Sequence, residues 1–168
     1  DEPLIMAILN ITPDSFYEGS RLSGEIDEVL EKAGKMILEG ADILDIGGYS
    51  SRPGAAEVSE IEELDRVMPA IEAIKRNFPE TLISIDTFRA KVAEEAVKAG
   101  ADIVNDISAG NLDPNMIPTV GKLNVPYIAM HMKGTPKDMQ EQTQYKDILL
   151  EITHYFAKKM EECIKAGI

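Results

Sequence analysis

An α/β fold built from consecutive βα units around a parallel sheet is predicted by three features of the 168-residue sequence. Short apolar runs rich in Ile, Leu and Val alternate with longer segments of helical period. A near-identical phrase, Gly40-Ala41-Asp42-Ile43-Leu44 and Gly100-Ala101-Asp102-Ile103-Val104, recurs where a helix hands over to a strand. Polar residues collect directly after the apolar runs, where parallel sheets place their ligand sites.

Five units are visible. Strands are expected at residues 4–9, 42–46, 82–86, 102–106 and 126–131, and their continuous apolar character predicts burial on both faces. The first helix carries Ile26, Val29, Leu30, Ala33 and Ile37 on one stripe, with Gly40 as its stop. The second opens on Ser59-Glu60-Ile61-Glu62, a capping-box pattern, and continues through Leu64, Val67, Ile71 and Ile74 with a kink expected at Pro69. Val92, Ala96 and Val97 mark the third helix, ended by Gly100. The fourth is expected to start at Asp113 as N-cap with Pro114 in its first turn, and Pro118 should keep it short. The fifth spans about 147–166, with Leu149, Ile152, Phe156, Met160 and Cys163 on a stripe expected in the core.

Eight βα units typically take about 250 residues, whereas five fit this length. The chain therefore reads as a single domain, residues 1–168, forming part of a (β/α)8 TIM barrel. Lys165-Ala166-Gly167-Ile168 repeats the handover at Lys98-Ala99-Gly100-Ala101, so a sixth strand would follow. The alternative is a complete five-stranded doubly wound domain.

Composition narrows the function. Acidic residues number 30 against 17 basic ones, a net charge of −13 that repels nucleic acid and anionic lipid. No apolar run approaches the ~20 residues of a membrane span, and the first residues lack a basic-then-apolar leader, so a cytoplasmic protein is expected. One cysteine and two distant histidines give no structural zinc spacing and no internal disulfide.

The strand ends carry the chemistry. Asn10 has a carbonyl suited to a hard cation and an amide able to donate to a phosphoryl oxygen, or it forms an Asx turn before Pro13. Ser50, Ser51 and Arg52, between Gly48 and Gly54, offer hydroxyls and a guanidinium to an oxyanion. Asp86 ends an apolar strand, where a carboxylate needs a donor, a cation or a ligand. Asn105 beside Asp106 can recognise the edge of a nitrogen heterocycle, although one of the two can serve only to cap the next turn. His131 is open to a base, ligand or structural role.

Five motifs in order, LNITPDSF at 9–16, SSRPG at 50–54, SIDT at 84–87, NDISAG at 105–110 and MHMKGTPKDMQ at 130–140, closely resemble the dihydropteroate synthase family. The resemblance covers essentially the whole chain but only about the first two thirds of that family's catalytic domain. It implies a (β/α)8 barrel, a transferase of folate biosynthesis that joins 6-hydroxymethyl-7,8-dihydropterin pyrophosphate to 4-aminobenzoate, Mg2+ as cofactor, sulfonamides as competitive inhibitors and a homodimer at full length. By position it implies that Asn10 meets metal and pyrophosphate. Ser51, where the family usually has Thr, and Arg52 contact pyrophosphate; Phe16 and Pro53 wall the aminobenzoate side. Asp86 and Asn105 bind the pterin edge, and Met130 lies under the ring. The rivals are a pterin-binding methyltransferase domain of the corrinoid-dependent kind and a non-catalytic folate-binding fragment. The family's later motifs have no counterpart here, so the 168-residue chain alone is expected to be inactive.

Overall fold

The structure, a computed structural model, describes residues 3–11, 22–49 and 58–168, with backbone only for 22–25. Its elements run β1 (Met6–Asn10), α1 (Leu22–Leu38), β2 (Ile43–Gly47), α2 (Glu60–Asn77), β3 (Leu82–Asp86), α3 (Ala90–Ala99), β4 (Ile103–Asp106), α4 (Met116–Leu123), β5 (Tyr127–Ala129) and α5 (Ile148–Ala166). The strands form one sheet in the order β1-β2-β3-β4-β5, every neighbouring pair parallel. Doubly wound sheets reverse direction at a switch point, and this sequential order has none, so the barrel arrangement holds and the doubly wound alternative falls.

Strong local signals set the helix ends. Ser59 and Glu62 close the expected capping box on α2, with Glu62 N donating to Ser59 Oγ at 3.2 Å and Ser59 N to Glu62 Oε2 at 2.8 Å. The helix runs on through Pro69 without ending. Gly40, Gly100 and Gly167 all sit at positive φ just past a helix, and the next residue's N–H returns to the helix each time: Ala41 to Met36 O, Ala101 to Ala96 O and Ile168 to Cys163 O. The aspartates of the repeat have a shared task as well. Asp42 Oδ2 accepts from Ile5 N at 2.7 Å and Asp102 Oδ2 from Ile83 N at 2.9 Å, so each ties a handover to the start of the preceding strand.

Side-chain alternation then sorts the sheet into two faces. Leu9, Leu44, Ile46, Ile83, Ile85 and Val104 point to the helices and form the core with Val29, Ala33, Val67, Ile71, Ile74, Val92, Ala96, Met116 and Val120. The opposite, inner face carries Ile8 and Asn10, Asp45 and Gly47, Ser84 and Asp86, Ile103 and Asn105, and Ile128, and no described helix covers it.

Three expectations are corrected. Burial on both faces holds for β2 but not for the outer strands, where Ile8 is 65% exposed and Ile128 40%, because each has one strand neighbour among the described residues. Helix α4 begins at Met116: Asp113 Oδ1 accepts from Asn115 N (2.9 Å) in a local turn that closes ahead of the helix, while its Oδ2 accepts from Ala90 N (2.8 Å) across the fold; Pro118 falls in the first turn, where its missing N–H is no loss. On α5 the stripe is not core: Leu149 and Met160 are exposed, Ile152, Phe156 and Cys163 only half-buried, because α5 packs chiefly on α4.

Candidate functional site

Strand register aligns Asn10, Gly47, Asp86, Asn105 and Ile128 in one transverse row on the inner face, at the C-terminal ends of the strands. Three polar side chains predicted from separate motifs are thus neighbours. The glycine at the row's centre keeps the floor open: a Cβ on Gly47 would lie 3.5 Å from both Asn10 Oδ1 and Asp86 Oδ2. Gly48 has a different constraint, since a Cβ there would come within 2.8 Å of Val67 on α2.

Asp86 is pushed up to about 7, first by burial and then by the carboxylates of Asp45, Glu63 and Asp106. No bonded cation compensates it among the described contacts, which marks it as a group awaiting a positive or hydrogen-donating partner. One row deeper, Asp45 and Ser84 are buried, and Asn105 Nδ2 donates to Asp45 Oδ2 at 3.0 Å. Burial raises the Asp45 carboxyl above its usual range. The adjacent Ser84 hydroxyl and the Asn105 amide oppose that rise, yet Asp45 Oδ1 and Ser84 Oγ remain without a well-formed hydrogen bond. Asp45 was missed by sequence reasoning; the available signal was a carboxylate in mid-strand in the apolar run Ile43-Leu44-Asp45-Ile46.

The ambiguity between Asn105 and Asp106 resolves by face. Asp106 points to the helix side and is fully buried. Its Oδ1 accepts from Ser108 N (2.7 Å) and Ser108 Oγ (2.8 Å), its Oδ2 from Gly110 N and Tyr127 Oη (both 2.7 Å). It fixes the turn after β4, where Ala109 takes a positive φ, and leaves Asn105 to the site.

A second network supports the rim. Glu63 on α2, fully buried, pairs with Arg89 and accepts from Thr87 Oγ1 at 2.7 Å. Arg89 Nη2 also donates to Val58 O at 2.6 Å, and Arg66 Nη1 to Gly48 O at 2.9 Å. A narrow crevice beside Asp86 is lined by Tyr49, Thr87, Phe88, Ile107 and Pro136.

Met130, just beyond β5, is partly exposed, its N–H bonded to Asp106 O. The His131 ring packs edge-on to Tyr155 at 4.7 Å, near Phe156 and Tyr145. Phe16, Ser51, Arg52 and Pro53 lie outside the described residues. Among the described residues no three His, Cys, Asp or Glu side chains converge as metal ligands. Asn10 brings one hard oxygen, which suits a cation held mainly by phosphate and water.

A family described as pterin binding enzyme matches residues 6–168. The dihydropteroate synthase of Escherichia coli K12 is 46% identical over 166 residues, covering 99% of this chain and 58% of that one. A mitochondrial folate synthesis bifunctional protein of Arabidopsis thaliana is 47% identical over 169 residues, 98% of this chain and 30% of its own length. A solved Yersinia pestis dihydropteroate synthase with a sulfonamide drug complex superposes with a TM-score of 0.88 at 44% identity, over 99% of this chain and 59% of that one. The chain thus spans less than two thirds of the length of these relatives.

Proposed function

The chain belongs to the pterin-binding enzyme family, and from that premise we propose that it carries the pterin-recognising part of a dihydropteroate synthase, which condenses 6-hydroxymethyl-7,8-dihydropterin pyrophosphate with 4-aminobenzoate. The observation that carries this reading is the register pairing of Asp86 with Asn105 on the inner face, above a buried polar floor. A carboxylate and a carboxamide side by side match the nitrogen-rich edge of a pterin, and apolar Ile128 and Met130 stand next in line for the ring's face.

Cleavage of the carbon–oxygen bond to pyrophosphate develops a resonance-stabilised cation on the pterin and negative charge on the leaving group. Asp86, costly to ionise in the free site, becomes favourable opposite that cation, so its stabilisation is greater in the transition state than in the ground state. Arg52 and Ser51 are assigned to the departing pyrophosphate, Phe16 and Pro53 to the aminobenzoate, whose amine attacks the exposed methylene carbon. No covalent intermediate with the protein is needed. Asn10, at the rim of the same row, would hold Mg2+ through Oδ1; when bound, the ion would neutralise pyrophosphate charge. Sulfonamide inhibition, a homodimer and a cytosolic location complete the reading. No helix among the described residues is long and apolar enough to cross a membrane.

Titrating 6-hydroxymethylpterin into the wild-type protein and into Asp86→Asn and Asn105→Ala tests the site. Both variants should bind at least about tenfold more weakly; unchanged affinity in both would move the pterin elsewhere.

A further inference from the structure

The bond between Asn105 and Asp45 joins residues of β4 and β2 over the intervening strand β3. The two do not share a row: Asp45 pairs with Ser84, and Asn105 with Asp86. The link therefore runs diagonally above Ser84, a residue small enough to leave that path open. Its acceptor end is buried, since Asp45 is 5% exposed and Ser84 fully enclosed, while Asn105 stays partly open to the site. A carboxamide can turn either its oxygen or its nitrogen to a partner, and here it is Nδ2 that donates, to Asp45 Oδ2. Facing Asp45, Asn105 must present Nδ2 downward, and its Oδ1 is left to face the row occupied by Asp86.

We propose that Asp45 is a positioning residue that fixes the hydrogen-bond polarity of Asn105, so that the site offers the heterocycle an acceptor at this point and selects ring edges bearing N–H donors. The proposal rests on the pterin reading above and adds the element that sets its directionality. Without an acceptor at position 45 the carboxamide is free to turn, and a ligand must then bear the cost of ordering it. The remaining buried acceptor, Asp45 Oδ1, and the Ser84 hydroxyl lie beneath, so the floor under Asn105 is polar throughout.

The test compares Asp45→Leu, which keeps the size and removes the acceptor, with Asp45→Asn, which retains one, in the protein as its gene encodes it. Binding of 6-hydroxymethylpterin should weaken by roughly 10- to 100-fold in Asp45→Leu and recover to within about threefold of wild type in Asp45→Asn. In an Asn105→Ala background Asp45→Leu should have no further effect, because both residues act through one interaction. Equal loss in the Leu and Asn variants, unchanged binding in Asp45→Leu, or additive losses in the double variant would each overturn the proposal. If the leucine variant does not fold, Asp45→Ser takes its place in the same cycle. The side-chain NH2 resonances of Asn105 provide a ligand-free readout: they should move in Asp45→Leu and stay close to wild type in Asp45→Asn. Absence of pterin binding by the wild type would refute the pterin reading, while the NMR comparison would still decide whether Asp45 orients Asn105.

Discussion

Asp86 should make the free protein less stable as pH rises, and removing its charge should reverse that loss. In the native state its carboxyl keeps a proton up to about pH 7; unfolded, it loses it near the ordinary value of 3.8. Between those values the folded form binds more protons than the unfolded form, so unfolding free energy falls with rising pH and levels off above the native value. A shift of this size corresponds to about 4 kcal/mol, the cost of ionising a carboxyl that is buried and then also held near Asp45, Glu63 and Asp106. Asp86→Asn keeps the shape and cannot ionise. Urea unfolding of both forms across about pH 4 to 8.5 isolates this contribution together with its coupling to the neighbouring carboxylates, because titrating groups that do not interact with Asp86 cancel in the difference. Asp86→Asn should match wild type near the acid end and exceed it by roughly 4 kcal/mol at the alkaline end. A difference that does not change with pH, or a less stable Asn variant at alkaline pH, would refute the reasoning.

The same ionisation should appear in catalysis: kcat/KM for the pterin pyrophosphate should fall as pH drops through about 7, with kcat reduced more than pterin affinity in Asp86→Asn, and loss confined to binding would make Asp86 a recognition residue only. Arg52→Ala should lower kcat/KM by about 2 to 4 kcal/mol in transition-state terms, with Arg52→Lys recovering part; a near-normal alanine variant would contradict the assignment. Arg89→Ala strands the buried Glu63 carboxylate and should cost about 3 kcal/mol in urea unfolding, against under about 0.5 if the pair were incidental. Tyr127→Phe removes one of the donors to Asp106 and should cost about 1 kcal/mol by the same measurement.

What the sequence made legible was local. The capping box at Ser59 and the glycine stops at Gly40 and Gly100 depend on neighbours a few residues away, and each formed as expected. Asp113 had an equally good local signal for an N-cap and does accept from Asn115 N two residues on, but that turn closes before the helix starts at Met116, and its second oxygen is taken by Ala90, 23 residues back. The α5 stripe looked like core because periodicity reveals which residues share a face, not whether anything covers it. At the candidate site, the shared position of Asn10, Asp86 and Asn105 was readable because each stands at the C-terminal end of an apolar strand of a parallel sheet. Asp45 was not, since its meaning depends on register with β3 and reach to β4. Likewise only the alternation of faces separates Asn105, turned to the site, from Asp106, turned to the helices.

The most direct measurement follows pyrophosphate and dihydropteroate together, with the protein as its gene encodes it supplied with 6-hydroxymethyl-7,8-dihydropterin pyrophosphate, Mg2+ and 4-aminobenzoate. A dihydropteroate synthase releases the two products in equal amounts, only when aminobenzoate is present, and is slowed by a sulfonamide in competition with it. Pyrophosphate release indifferent to aminobenzoate, or no product despite tight pterin binding, would contradict that function and leave a pterin-binding domain of another kind.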